Sequence, residues 1–200
     1  CPPYAARSMR RFQKGPWMKL IRMLVPVALV ALATPAWSAT LTYPGAAPCN
    51  TTLQACITGA ASGDVVEIAT NAAIDEDLSI NKSLTLRSAA GYTPTIGGGA
   101  TLRNLNYGGL GVSGSAETLL IENLHFQTVT VHGYIYQASG HSITIRDNVF
   151  FLEIEHNNTP AIEIDTRVAL TGVISGNRIT SIGQGIRLWA ITSALQVVDY

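Results

Sequence analysis

The sequence predicts an all-β fold: a right-handed parallel β-helix, a solenoid with three short strands in each coil, preceded by a short N-terminal capping helix. Two observations lead to this prediction. Short runs of alternating apolar residues recur beyond residue 64, and none is followed by a helix long enough for a βαβ crossover. Related segments also repeat at intervals close to one coil length.

The candidate strands are rich in β-branched residues and are separated by Gly, Asn, Asp and Ser. They lie at residues 65–69, 83–88, 118–123, 128–131, 134–136, 142–148, 161–165, 172–177 and 185–189. A single coil of such strands has no partner for its backbone N–H and C=O groups. Stacking of successive coils is therefore obligatory.

Two columns of aliphatic residues define the length of a coil. The first column contains Ile121, Ile145, Ile174 and Val197, spaced by 24, 29 and 23 residues. The second contains Ile135, Ile162 and Ile186, spaced by 27 and 24 residues. We expect both columns to point into the core of about four stacked coils, with parallel strands about 4.8 Å apart. The glycine-rich region 84–112 fits poorly and is expected to carry an excursion.

Two asparagines are predicted to stabilise the stack. Asn148 and Asn177 each stand directly after a predicted strand, where a two-residue turn would let their side chains hydrogen-bond along the solenoid. Asparagine also tolerates left-handed backbone angles at such a turn. We therefore interpret both as a structural ladder rather than as ligands, and the neighbouring Asp147 as a turn residue rather than a catalyst.

The chain is expected to have four parts. Residues 1–17 precede a plausible start at Met18 and are interpreted as a non-native upstream extension, with Met9 as a second candidate start. Residues 18–39 have a basic start, a short apolar run and small residues at the exit, which is the pattern of a secretory signal peptide. Residues 40–63 are read as a linker and cap helix, and 64–200 as a β-helix truncated at its C-terminus.

The signal peptide predicts a secreted, periplasmic or cell-surface protein, with cleavage at Ala36, Ser38 or Ala39. The apolar run of 18–39 is too short for the roughly 20 residues of a membrane-spanning helix, and no span is expected in the mature region. Six of the 13 basic residues and none of the 13 acidic ones precede Thr40, so the remainder has a net charge of −6. That charge excludes the basic surface on which nucleic-acid binding depends.

The cap helix is predicted from Leu53, Cys56, Ile57 and Ala60, which fall at helical spacing. Asn50 or Thr51 is expected to cap its start and Gly63 to end it. Cys49 and Cys56 are the two cysteines left after export, and an oxidising compartment permits a disulfide between them. The alternative is that Cys56 is a buried small hydrophobe with Cys49 exposed nearby.

The segments IENLHF, ITIRDNVF, GVISGNRI and GIRL resemble the right-handed parallel β-helix repeats of the pectin-lyase-like superfamily. The opening TLQACITGAASGDVVEIATN, followed by INKSLTLRSA, is similar to the start of many members. The resemblance covers about 50–200 and implies the fold more strongly than an activity. For a lyase it implies an Arg or Lys base with Ca²⁺ neutralising a uronate; for a related hydrolase it implies clustered Asp residues, which are not visible here.

The candidate site is an outward patch beside the second column. Its residues are Tyr136, Glu163, Asp165, Arg187 and Trp189. Tyr136 and Trp189 would stack on sugar rings. Arg187, Glu163 and Asp165 are the catalytic candidates, with Arg187 pairing a uronate or acting as base and the two carboxylates acting as an acid/base pair. Glu163 and Asp165 are also the candidate ligands for calcium, the one cofactor that these residue types suggest. The alternative for Glu163 and Arg187 is a plain surface ion pair.

We expect a protein that binds or processes polysaccharide, with a lyase-like reaction as the favoured chemistry. The alternative is a non-catalytic β-helix of the adhesin, surface or passenger type. The four histidines show no metal-ligand spacing, and no nucleophile triad or phosphate-binding motif is present. The sequence makes no prediction about oligomeric state.

Overall fold

The computed structural model describes residues 38–98, 103–107, 118–135, 141–152, 160–166, 170–181, 184–190 and 193–198. Residues 1–17 and nearly all of the predicted signal peptide lie outside this part of the chain. The described elements in chain order are β1 (Thr40–Tyr43), α1 (Leu53–Gly59), β2 (Asp64–Ile68), β3 (Ala73–Ile74), β4 (Leu78–Ile80), β5 (Leu84–Ser88), β6 (Thr95–Gly97), β7 (Arg103–Tyr107), β8 (Thr118–Glu122), β9 (His125–Gln127), β10 (Val129–Ile135), β11 (His141–Arg146), β12 (Val149–Leu152), β13 (Ile162–Thr166), β14 (Leu170–Ser175), β15 (Arg178–Ser181), β16 (Ile186–Ala190) and β17 (Ser193–Val198).

The strands form three parallel sheets, which confirms the predicted parallel β-helix. Sheet A has the order β1-β2-β5-β8-β11-β14-β17, sheet B the order β3-β6-β9-β12-β15, and sheet C the order β4-β7-β10-β13-β16. Each coil contributes one strand to each sheet in the order A, B, C. The described residues therefore contain the three strands of each of five coils, one coil more than the spacing predicts, with β1 and β17 as the outer strands of sheet A.

The first predicted column is confirmed by the register of sheet A. Ile121 pairs with Ile145, Ile145 with Ile174, and Ile174 with Val197. Leu86 pairs with Ile121, so the coil that was expected to be irregular keeps the common register. Its extra length falls largely between β7 and β8, at 108–117, outside the described residues.

The second column is correct in one step and wrong in the other. Ile162 pairs with Ile186 as predicted. Ile135, however, pairs with Thr166, and the residue opposite Ile162 is Val131. The reason is the connection between β12 and β13, whose nine residues lengthen this coil beyond a spacing judged from isoleucines alone. Residues 128–131 and 134–136, predicted as two strands, contribute to the single strand β10.

The core consists of the inward residues of all three sheets, and most of them are almost completely buried. On the outermost strands β16 and β17 the inward residues Leu188 and Val197 are 39 % and 43 % exposed. Phe126 and Phe150 stack between neighbouring coils with ring centroids 4.8 Å apart and an interplanar angle of 12°. The inward positions of sheet A alternate with partly exposed ones, as in Asp64–Ile68, where every second residue is buried. Burial of each such aliphatic or aromatic side chain stabilises the fold by roughly 1.5–3 kcal/mol before entropy is counted.

The helix α1 packs against β4 and β1, and Leu53, Cys56 and Ile57 join the same buried cluster as the coils. Its N-cap is Thr52, whose side chain accepts a hydrogen bond from the N–H of Ala55, rather than Asn50 or Thr51. It ends at Gly59, because the C-cap residue Ala60 already has an extended backbone. Gly63, the predicted end, lies instead in the tight turn before β2, where its φ of 92° favours glycine. The predicted cap helix is therefore present with different boundaries.

Side chains of the solenoid hold both ends of α1, and a disulfide joins the helix to the loop that precedes it. The Glu76 carboxylate, between β3 and β4, accepts hydrogen bonds from the N–H groups of Leu53 and Gln54 at 3.0 and 2.9 Å. Lys82 Nζ donates to the carbonyls of Thr58 and Ala60 near the other end of α1. Cys49 and Cys56 are joined by a disulfide, with Cα atoms 4.2 Å apart. Part of the predicted linker is strand β1, which pairs with β2 and extends sheet A.

The asparagines form the predicted ladder. Asn148, which is 1 % exposed, accepts a hydrogen bond from the N–H of Leu124 and donates from Nδ2 to the carbonyl of Ile121 and to Asn177 Oδ1. Asn177 in turn donates to the carbonyl of Ile145 at 2.8 Å. Each amide therefore satisfies backbone groups at a turn where the sheet ladder is interrupted.

The left-handed position of these turns is one residue earlier than predicted. It is occupied by Asn123, Asp147 and Gly176, with φ angles of 57°, 56° and 62°. Asn148 and Asn177 are the second residues of their turns, and their contribution is the side-chain hydrogen bonds. Asp147 is a turn residue, as its position in the sequence suggests.

Candidate functional site on sheet C

The candidate site lies on the outer face of sheet C, on the adjacent strands β13 and β16. The parallel register places Glu163 opposite Arg187 and Asp165 opposite Trp189. Ile162 and Ile164 are buried, whereas Glu163 and Asp165 are partly exposed. Strand alternation thus brings these four predicted site residues together on one face.

Glu163 and Arg187 form a two-donor ion pair. Arg187 donates from Nε and Nη2 to Glu163 Oε1 at 2.9 and 2.6 Å. The Glu163 side chain is 13 % exposed and that of Arg187 is 32 % exposed. The guanidinium is therefore held against the sheet by its partner. This is the ion pair that was the alternative to a catalytic role, and it holds Arg187 as a fixed, charged element of the surface.

Trp189 is the most exposed large apolar side chain among the described residues, at 58 %. It follows Leu188, which is 39 % exposed, and stands beside Asp165 on the neighbouring strand. An exposed indole surface next to a carboxylate combines an apolar face with a hydrogen-bond acceptor. This is the combination that a sugar ring can use, because its C–H face is apolar and its hydroxyls are donors.

The register of β10 changes the predicted neighbours of this patch. Its backbone places His132 opposite Glu163 and Tyr134 opposite Asp165. Tyr136, the predicted aromatic of this coil, lies outside the described residues. Further along the same sheet, Asn106 is opposite His132 and Ser79 is opposite Asn106. The register positions in line with Glu163 and Arg187 therefore carry polar residue types through all five coils.

A calcium site at Glu163 and Asp165 does not fit the donor set. Calcium takes six to eight oxygen ligands in proteins. Here the Glu163 carboxylate is engaged by the Arg187 guanidinium, and within the described ranges no group of three or more His, Cys, Asp or Glu side chains could hold a metal ion. Among the described residues, Glu163 and Asp165 therefore belong to no cluster that could complete the coordination shell of calcium.

Sequence reasoning missed a second line of ion pairs, on the outer face of sheet A. Arg87 Nη2 lies 2.6 Å from Glu67, and Arg146 Nη2 lies 2.5 Å from Glu122. Arg87 also lies 3.8 Å from Glu122, so four strands carry charges of alternating sign. The signal was present in the sequence, because a charged residue directly follows an inward aliphatic residue in each of these strands.

Three groups with shifted pKa values lie away from the sheet C patch. Hydrogen bonding from Arg103 lowers the pKa of Asp75 at the connection from β3 to β4, and the same contact raises the pKa of Arg103. Burial, followed by the negative charge of Glu76, raises the pKa of Tyr43. The Asp75–Arg103 pair joins the first coil to the second, with donor–acceptor distances of 2.7 and 3.1 Å.

Comparison with known proteins adds no relative. No family model, no curated protein and no solved structure matches the chain. No helix in the described ranges is both long and apolar enough to cross a membrane.

Proposed function

We propose that the protein is an exported β-helix, of the pectin-lyase-like type, that binds an extended polysaccharide across the outer face of sheet C. The observation that carries the proposal is Trp189, 58 % exposed and in register with Asp165 on the next strand. Aromatic faces stack on the C–H face of sugar rings, and carboxylates accept hydrogen bonds from hydroxyls. The Glu163–Arg187 pair adjoins this platform and fixes further polar groups beside it.

The regular spacing of the strands supports a polymeric ligand. Parallel strands repeat about every 4.8 Å, so a chain that runs along the stack meets equivalent positions of successive coils. The line from Ser79 through Asn106 to Glu163 offers polar residue types along that path. A net charge of −6 for residues 40–200 disfavours nucleic acid as the polymer.

Export is part of the proposal. It is supported by the basic and apolar pattern of residues 18–39 and by the disulfide between Cys49 and Cys56, because such bonds persist in oxidising compartments.

The geometry favours binding over catalysis. A lyase needs a base that can take a proton, whereas the Arg187 guanidinium is charged and donates two hydrogen bonds to Glu163. A lyase-like reaction therefore stays a prediction. It is tested by incubating the full chain with polygalacturonate, with and without added Ca²⁺, and measuring release of unsaturated uronate by its ultraviolet absorbance. Product that disappears in Arg187→Ala would establish the reaction at this site.

The binding proposal is tested by calorimetric titration of the full chain with soluble polysaccharides, including a neutral glucan and polygalacturonate. We expect Trp189→Ala to weaken binding about three- to tenfold, since aromatic stacking contributes roughly 0.5–1.5 kcal/mol beyond area burial. The matched control is Phe151→Ala, which removes a 40 % exposed aromatic from sheet B. Equal affinity of wild type and Trp189→Ala would refute the site, and absence of binding to any polysaccharide would favour the structural alternative.

A further inference from the structure

A hollow lies at the corner between sheets A and B, away from the sheet C patch. In the second coil the connection from β5 to β6 has six residues, 89–94, whereas the connections of the next three coils have two. The long loop therefore stands beside the short turns that follow it. The hollow between them has a volume of about 280 Å³ and is lined by Tyr92 and Thr93 of the loop and by Asn123, His125 and Asp147 of the next coils.

Backbone hydrogen bonds fix the walls of this hollow. The N–H of Thr93 donates to Asn71 Oδ1 at 2.8 Å, and the N–H of Tyr92 donates to the carbonyl of Ala89 at 3.1 Å. On the opposite wall Asn123 and Asp147 are held in left-handed conformations by the two-residue turns. A ligand would find these positions already ordered, which lowers the entropy that binding must overcome.

Gly176 makes room for one polar group of the hollow. A Cβ atom at this position would lie 2.5 Å from Asp147 Oδ1. The absence of a side chain there lets the carboxylate lie against the next coil. Asp147 is exposed, as are Asn123 and His125, and all three residues line the same opening.

The chemistry of the lining selects a class of ligand. Tyr92 is 41 % exposed and offers an aromatic face, and the carboxylate, amide and imidazole around it can exchange hydrogen bonds with hydroxyls. The lining contains no Lys or Arg, so a phosphate or uronate would meet Asp147 without a fixed cation. The volume of about 280 Å³ is just below the roughly 300–1,000 Å³ typical of small-molecule sites, which favours a single small ring over a larger ligand.

We propose that this corner hollow binds a single neutral pyranose ring, stacked on Tyr92 and hydrogen-bonded through Asp147. The site is separate from the sheet C surface. It uses the elongated loop of the second coil as one wall and the turns of the third and fourth coils as the other. Its occupancy depends on neither polymer binding nor catalysis on sheet C.

The test is a titration of the full chain with galactose, glucose and N-acetylglucosamine, followed by saturation-transfer NMR and calorimetry. We expect at least one of these neutral sugars to bind, and Tyr92→Ala to weaken it by at least threefold. Asp147→Asn should also weaken it, because asparagine keeps the left-handed turn but removes the charged acceptor. Galacturonate should bind more weakly than galactose.

Two controls separate this site from the sheet C proposal and from misfolding. Trp189→Ala should bind the neutral sugar as wild type does, and the circular dichroism and melting temperature of Tyr92→Ala should match wild type. No response to any of the three sugars, or equal binding by folded Tyr92→Ala, overturns the proposal. Tighter binding of galacturonate than of galactose overturns the assignment of a neutral ligand.

Discussion

The Asn148 side chain makes three buried hydrogen bonds, one of them with the Asn177 side chain. Its amide links the turn of the third coil, through Leu124 and Ile121, to Asn177 in the fifth. Asn148 therefore connects neighbouring coils through hydrogen bonds. Its loss would leave buried backbone groups without partners, and each stranded group costs roughly 1–3 kcal/mol.

We predict that Asn148→Ala lowers the free energy of unfolding by roughly 2–4 kcal/mol. The measurement is urea unfolding followed by circular dichroism. The matched control is Asn81→Ala, which removes an exposed asparagine from the connection between β4 and β5 and should change stability by less than about 0.5 kcal/mol. Similar losses in the two variants would show that the ladder contributes little.

At the scale of the strand, the ion pairs on sheet A bind neighbouring coils through their outer faces. Glu122 of β8 is the centre of this line, since its side chain is only 8 % exposed and lies between Arg87 and Arg146. Glu67, at the N-terminal end of the line, is 25 % exposed and contacts one arginine. Glu122 should therefore contribute more to the stability of the fold than Glu67, because desolvation strengthens charge-assisted hydrogen bonds.

We predict that Glu122→Gln destabilises the protein by roughly 1–2 kcal/mol and Glu67→Gln by less than about 1 kcal/mol. Both variants keep side-chain size, so the comparison isolates charge. The measurement is the melting temperature of each variant at low and at high salt. Added salt should reduce the difference in melting temperature from wild type more for Glu67→Gln than for Glu122→Gln. A larger loss for Glu67→Gln would contradict the predicted order.

The elements show where sequence patterns suffice. The column of aliphatic residues one coil apart, Ile121, Ile145, Ile174 and Val197, predicts the register of sheet A, because the strands pair at these positions. A second register position of sheet A is not recognisable from the sequence, because β14 has Gly172 where its neighbours have Ile143 and Leu195. A Cβ at Gly172 would lie 1.9 Å from the carbonyl oxygen of Ile143. The strands β14 and β11 therefore approach too closely here for any side chain. The strands of two or three residues in sheet B are likewise too short to show the alternation of inward and outward residues.

The candidate site is only partly predictable, because its composition depends on the length of each coil. Glu163, Asp165, Arg187 and Trp189 share a face because their two strands keep the coil length that the sequence suggests. Tyr136 was assigned to them from a register that the nine-residue connection before β13 shifts by four residues. The corner hollow depends on unequal connections in neighbouring coils, and only the stacked structure brings those connections together.

For the whole molecule, the decisive property is that each coil contacts only its neighbours. In such a solenoid the stability of one region depends on its own packing and on the adjacent interfaces. The helix α1 is the neighbour of the first coil on the side of β4, where sheet C has no preceding strand among the described residues. Its Leu53 is fully buried in the common core.

We predict that Leu53→Ala removes roughly 2–5 kcal/mol of packing energy, and that the loss falls mainly on the N-terminal coils. Hydrogen exchange followed by mass spectrometry should show reduced protection in β2 to β4 and much smaller changes in β14 to β16. Ile174→Ala, which creates a similar cavity in the fifth coil, should give the reverse distribution. If each variant instead lowered protection equally in all coils, the solenoid would unfold as one cooperative unit, and nearest-neighbour coupling would have to be strong enough to transmit a cap defect through five coils.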